Sequence, residues 1–244
     1  MMMPSLGSNQ APLKAMKEIP MMFNIPDVLK PEQVAHIRKL FEKAQWVDGK
    51  GTAGHQASRI KNNKELLKGQ PAELEAGAMI KTALEQNRFL SIAALPFKVS
   101  PALFNRYEGG ESYGVHIDNA IRTADGHRMR GDLSATLFLS SPEEYDGGEL
   151  CVEDALGQKA TKLPAGHLVL YPASTLHEVK PVTRGVRIAA FFWIQSMVRE
   201  EERRTVLLDL ELAVQRLYKD HPDHPSAVQL TGVYNNLMRL WAEV

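Results

Sequence analysis

Between Pro96 and Gln195 short apolar segments alternate with turn formers. The segments are 102–107, 115–118, 133–140, 148–153, 168–171, 177–179 and 186–194. Between them lie Gly109-Gly110, Asp125-Gly126, Asp146-Gly147-Gly148, Pro164-Ala165-Gly166, Pro172 and Thr183-Arg184-Gly185. Runs this short, bounded by glycine and proline, read as strands. No segment among them has helical periodicity, which disfavours a doubly wound parallel sheet and predicts a sandwich or barrel.

The flanks have a different period. Pro31 suits a first helical position, and Val34, Ile37, Phe41 and Ala44 follow at helical spacing. A second helix is expected over 72–89, with Leu74, Ala78, Ile80, Leu84 and Asn87 as its inner face. The polar, glycine-containing run 49–64 reads as a solvated loop, with a lid or substrate-contacting segment as the sharper alternative. Beyond Met197 the pattern is helical again. Glu200, Glu201 and Glu202 suit a helix N-terminus, and Val206, Leu210, Ala213, Val214 and Leu217 form a stripe. His221-Pro222-Asp223-His224-Pro225 interrupts it, and Leu230, Val233, Tyr234, Leu237, Leu240 and Trp241 mark a last helix. Residues 1–20 read as a loose extension, with Met21-Met22 as an alternative start. The expected organisation is 1–20 extension, 21–96 helical support, 97–197 β domain and 198–244 helical tail.

Charge excludes some functions. Lys plus Arg and Asp plus Glu both number 29, so the net charge is zero and no nucleic-acid partner is expected. Cys151 is the single cysteine, which removes disulfides and cysteine-rich zinc sites; it reads as a small buried hydrophobe. The N-terminus lacks the apolar core of a secretory signal, and no apolar run is long enough for a bilayer span. A cytoplasmic protein is the expectation. The apolar tail permits a homo-oligomeric interface.

Chemistry concentrates in Tyr113-Gly114-Val115-His116-Ile117-Asp118-Asn119. On an extended backbone, residues two apart point the same way, so His116 and Asp118 can grip one metal ion. Alone, this pair is a common surface coincidence. A third ligand is needed, and His127, His167 and His177 all lie in the β region. His177 stands out because a hairpin turning near residues 181–185 would set it beside Arg187. Arg187 lies in the apolar stretch Val186 to Ile194, where an arginine needs a partner. That partner is either an internal carboxylate, such as Glu149 or Asp132, or a bound acid. Two imidazoles and a carboxylate leave coordination positions open, as in non-haem Fe(II) oxygenases; a catalytic zinc site with the same ligands stays open as a reading. His36 and His55 read as surface or support residues, and His221 and His224 as parts of a surface loop. Phe191 and Trp193 read as core, although alternation could aim one at the pocket.

The motif His116-x-Asp118, then His177, then Arg187, resembles the Fe(II)/2-oxoglutarate-dependent dioxygenases of the prolyl/lysyl hydroxylase-like branch. Arg106-Tyr107-Glu108-Gly109-Gly110, Asp132-Leu133-Ser134-Ala135-Thr136-Leu137, Gly147-Gly148-Glu149-Leu150, Leu163-Pro164-Ala165-Gly166 and Phe191-Phe192-Trp193-Ile194-Gln195-Ser196 narrow the resemblance to bacterial PKHD-type hydroxylases, over about residues 21 to 244. The resemblance implies an α+β protein with a mainly β core. That core is a double-stranded β-helix (jelly-roll) barrel, with flanking N-terminal helices and a C-terminal helical extension. It implies Fe(2+) on His116, Asp118 and His177, 2-oxoglutarate on Arg187 with Tyr107 as a further contact, and L-ascorbate to keep the iron reduced. Phe138 stands where some eukaryotic relatives carry a cosubstrate-binding tyrosine, a departure that touches the carboxylate contacts and not the metal.

The activity so implied couples oxidative decarboxylation of 2-oxoglutarate to C–H hydroxylation with O2, releasing succinate and CO2. A link to bacterial iron uptake comes with the same resemblance. The primary substrate stays open among an amino-acid side chain, a peptide and a siderophore-like molecule. Two other classes compete: a non-catalytic iron- and 2-oxoglutarate-responsive binding protein on the same barrel, and a zinc hydrolase or isomerase, against which Arg187 argues.

Overall fold

The computed structural model describes residues 22–52, 57–124, 126–154 and 157–244. The expectations for residues 1–20, Met21, His55 and Asp125 lie outside these. The N-terminal part holds β1 (Phe23–Ile25), α1 (Pro31–Phe41), β2 (Trp46–Asp48), β3 (Lys61–Asn62), β4 (Lys64–Leu66), α2 (Pro71–Gln86) and α3 (Arg88–Ala94). The middle holds β5 (Pro96–Val99), β6 (Leu103–Glu108), β7 (Ser112–His116), β8 (Ile121–Ala124), β9 (His127–Arg130) and β10 (Leu133–Phe138). Then come β11 (Tyr145–Gly147), β12 (Leu150–Asp154), β13 (Gly157–Thr161), β14 (Leu168–Pro172), β15 (His177–Val179) and β16 (Val182–Ser196). Helices α4 (Glu201–Asp220) and α5 (Pro225–Trp241) close the chain.

The strands form two main antiparallel sheets. The larger runs β1-β14-β10-β16-β6-β4-β2, with β5 and β11 also paired to the long strand β16. The smaller runs β13-β12-β15-β7-β3, and β8-β9 is a separate hairpin. Alternation on the larger sheet explains the layering. Phe104, Ala135, Leu137, Leu168, Leu170, Ala190 and Phe192 pack with Ile37, Ile80, Leu84 and Leu90 of the N-terminal helices. Residues an odd number of positions away, Tyr107, Phe138, Val169 and Tyr171, meet Leu150, Val152 and Val179 of the smaller sheet. Each such large apolar side chain contributes roughly 1.5–3 kcal/mol by leaving water. The result is the two-sheet jelly-roll layout with helices on one outer face.

Several expectations change. The helix foreseen over 72–89 is two: Asn87 ends α2, and its side chain accepts from Leu90 N at 2.8 Å to cap α3. Leu74 points to solvent; Ala76, Ile80 and Leu84 form the buried face. The run 49–64 is not a solvated loop in its described part. It carries β3, which pairs with β7, and leads into β4, which pairs with β6. The 21–96 region is thus strand as well as helix, and it extends both sheets.

The tail docks by a face that overlaps the expected stripe only in part, at Val214. Val206 and Ala213 are exposed, whereas Arg204, Leu207, Leu208 and Val214 are buried. Arg204 is held by Val198 O and Arg199 O at 2.8 and 2.7 Å. Tyr234, Leu237, Met238 and Trp241 of α5 pack on Leu95, Val198 and Leu207. Arg130 ties the chain end down, bonding Asp132 at 2.6 Å and Glu243 at 3.1 Å. His221 and His224 stay exposed, and His224 Nδ1 accepts from Ser226 N as the cap of α5. No described helix is long and apolar enough to cross a membrane.

Candidate metal centre

His116 ends β7 and His177 begins β15, and the two are direct partners across the antiparallel pair. Their ring centroids lie 4.2 Å apart. Each ring is fixed by a carbonyl two residues before it: His116 Nδ1 donates to Gly114 O at 2.7 Å, and His177 Nδ1 donates to Thr175 O at 2.9 Å. A carbonyl only accepts, so Nδ1 carries the proton and Nε2 keeps its lone pair for a metal.

Asp118 arrives by a route other than the one expected. β7 stops at His116, so strand alternation does not aim the carboxylate. Ser134 on β10 does, donating its hydroxyl to Asp118 Oδ2 at 2.6 Å. That oxygen sits 3.7 Å from His177 Nε2. One ligand atom from each of His116, Asp118 and His177 lies within 4.8 Å of the others. Burial, with the nearby His177, pushes the His116 imidazole down from 6.5 to about 4. It is therefore neutral, the form a metal needs.

The expected hairpin between His177 and Arg187 does not form. β15 pairs with β12 and β7 in the smaller sheet, whereas β16 pairs with β6 and β10 in the larger. The two residues still share one cavity, because both line the pocket. Arg187 is opposite Tyr107 in the register and 1% exposed. Its guanidinium lies 5.4 Å from the Tyr107 ring and 5.2 Å from the Phe138 ring. Its hydrogen bond to Asn105 Oδ1 is long at 3.4 Å, the Tyr145 hydroxyl is a further neutral neighbour, and Nε has no partner. No ion pair reaches Arg187 among the described residues. The carboxylates considered for it go elsewhere or stay away; Asp132 is held by Arg130. Burial raises the Tyr107 hydroxyl above its ordinary range, so it stays protonated as a donor.

An orphaned buried guanidinium is costly, by several kcal/mol when no anion answers it. Together, two fixed imidazoles, a carboxylate and a buried fork facing the same cavity fit a metal ion plus a small acid. His127 is exposed and His167 stands 3.5 Å from Asp27, so neither joins the centre. His36 pairs with Glu75.

Other pocket residues were missed in the sequence. Ser134 and Thr136 had a signal, as polar residues on alternate positions of an otherwise apolar strand. Lys61 had none. It is 3% exposed, bonded to Glu65 and Thr52, and it lines the same pocket. Phe191 and Trp193 also border it, stacked edge to face at 5.5 Å.

Residues 102–195 match the 2OG-Fe(II) oxygenase superfamily, and residues 201–243 match the PKHD-type hydroxylase C-terminal domain. A PKHD-type hydroxylase of Bordetella pertussis is 54% identical over 226 residues, covering 92% of this chain and all of the relative. The chain belongs to the PKHD-type hydroxylases. One from Phenylobacterium zucineum is 55% identical over 227 residues, again covering 92% of this chain and all of the relative. Solved structures at low identity share the fold. The SnoK carbocyclase of nogalamycin biosynthesis has a TM-score of 0.54 at 16% identity, over 73% of this chain and 81% of its own. HygX of Streptomyces hygroscopicus, solved with nickel and 2-oxoglutarate, has a TM-score of 0.52 at 14% identity, over 72% and 83%. As a PKHD-type hydroxylase, this chain is a 2-oxoglutarate-dependent dioxygenase, an oxidoreductase whose family uses Fe(2+), 2-oxoglutarate and O2.

Proposed function

We propose that His116, Asp118 and His177 hold the iron and that Arg187, with Tyr107, holds the distal carboxylate of 2-oxoglutarate. The observation that carries this is Arg187: a guanidinium 1% exposed, with no anion, in the cavity where the three ligand atoms converge. Bound iron and 2-oxoglutarate together supply an oxidant for an unactivated C–H bond, with succinate and CO2 released. The chain's own residues orient and shelter that chemistry. Gly114 and Thr175 carbonyls lock the imidazoles, Ser134 aims Asp118, and the stacked Tyr113 ring, 3.6 Å from His116, excludes water.

The catalytic unit is residues 97–197, supported by 21–96 and 198–244. Ascorbate serves as reductant for the iron, and a role in bacterial iron uptake accords with the resemblance. The substrate is an amino-acid side chain, a peptide or a siderophore-like molecule, modified in the cytoplasm. Anaerobic titration with Fe(II) and 2-oxoglutarate, followed by oxygen and succinate measurement, tests the reading. Binding of both without succinate across a broad substrate panel would favour a non-catalytic binding protein. No binding of 2-oxoglutarate would defeat the assignment of Arg187.

A further inference from the structure

The charges around the pocket do not balance once iron and cosubstrate are in place. The ion and Arg187 are answered by Asp118 and the two carboxylates of 2-oxoglutarate. Lys61 is answered by Glu65, to which it is bonded. Arg122 on β8 is left over. Its guanidinium lies 3.2 Å from the centroid of the Trp193 ring, and it has neither ion pair nor hydrogen bond among the described residues. It lines the same pocket as the three ligand residues.

A second group points the same way. Trp193 is 6% exposed, and its indole Nε1 is buried with no hydrogen-bond partner. Buried indole N–H groups ordinarily find an acceptor, since an unmade bond costs about 1–3 kcal/mol. Two neighbouring donors, one charged, thus lack an acceptor at one end of the pocket. Both residues also border an adjoining groove lined by the exposed Leu74, Phe97 and Val99, which gives an apolar body somewhere to lie.

We propose that the primary substrate carries a carboxylate that docks on Arg122 and the Trp193 indole N–H, with an apolar body extending toward the groove. The proposal rests on the metal and cosubstrate placement above, which commits Asp118 and 2-oxoglutarate to the ion and Arg187 and so makes the occupant of Arg122 the primary substrate. The stack on the indole holds the guanidinium plane and leaves its edge free for bidentate contact.

The test uses the full chain loaded with Zn(II), which does not turn over, and saturated with 2-oxoglutarate. N-acetylated proline, lysine and phenylalanine are titrated by calorimetry beside their primary amides, which have the same shape without the charge. At least one acid should bind about tenfold more tightly than its amide, since a charge-assisted bond replaces a neutral one. Arg122→Gln should bring that ratio close to one while leaving 2-oxoglutarate affinity intact. Trp193→Phe, which removes the N–H but keeps an aromatic platform, should lower acid affinity several-fold. Thermal melts confirm that each variant folds. The proposal falls if no acid outbinds its amide, or if the preference survives Arg122→Gln. If it instead vanishes in Arg187→Gln, the acids are occupying the cosubstrate position, and the proposal falls while the oxygenase reading stands. Repeating the titration without metal or 2-oxoglutarate separates the reverse case. Acid selection at Arg122 in a chain that binds neither would sink the oxygenase reading and keep the anion site.

Discussion

His116 and His177 stand opposite each other on adjacent strands, with ring centroids 4.2 Å apart and each Nδ1 tied to the carbonyl two residues upstream. The smaller sheet therefore sets the spacing of the two proposed metal ligands before any metal arrives. Preorganisation of this kind reduces the conformational entropy lost on binding.

Replacing His177 with Ala should remove most metal affinity, by at least about 100-fold, because a ligand is lost outright and not merely its support. Ser134→Ala should cost less, roughly 10–100-fold, since it only frees Asp118. Competition with a chelating dye measures both. Equal affinity in wild type and His177→Ala would show that the three-residue centre is not the metal site.

Arg187→Met should have two effects of opposite sign. Affinity for 2-oxoglutarate should drop by about 2 kcal/mol or more, some thirty-fold, as a buried charge partner is lost. The cosubstrate-free protein should become more stable, by about 1 kcal/mol or more, because a buried unpaired cation is removed. Calorimetry and denaturant melts read the two quantities separately. Unchanged 2-oxoglutarate binding would mean the anchor lies elsewhere.

Gly148 has φ +68, and an added Cβ would sit 2.8 Å from Val182 Cγ2, 2.9 Å from Tyr145 Cε2 and 3.1 Å from Arg187 Cδ. Gly148→Ala should therefore destabilise the fold by about 1–3 kcal/mol through strain and overpacking. It should also weaken 2-oxoglutarate more than metal, since the displaced side chain is Arg187. Parallel affinities for both ligands, unchanged from wild type, would show that the guanidinium tolerates the shift.

The metal-free protein should lose stability as pH falls from about 6.5 toward about 4. Burial lowers the His116 pKa in the folded state to about 4 from 6.5, so the unfolded chain takes up the proton first. Stability thus rises with pH across that window and levels off above it. Between pH 7.5 and pH 4 the melting temperature of metal-free wild type should fall relative to that of His116→Gln, which has no imidazole to charge. Parallel curves would show that the imidazole does not carry the effect.

Much was legible along the chain because it depends on local pattern. Turn formers marked the strands, and His177 to Val179 falls where the structure has β15. Ser134 and Thr136 were missed although they are polar in an apolar strand, and Asp118's dependence on Ser134 has no local signal at all. The break at Asn87 was hidden because apolar spacing continues through it. Leu74 misled because apolar character alone does not say which side of a helix is covered.

The sequence by itself brought out the candidates: His116, Asp118, His177 and Arg187, all within one β region. Tertiary structure alone decided how they meet. His177 and Arg187 share one cavity from two sheets and not within one hairpin, because β15 and β16 find different partners. The same layering buries Lys61 beside the site and leaves Arg122 against Trp193 without an anion. Strand alternation is a property of neighbouring residues, whereas the pairing of strands is decided by which apolar faces can be covered together, and that choice involves the whole chain at once.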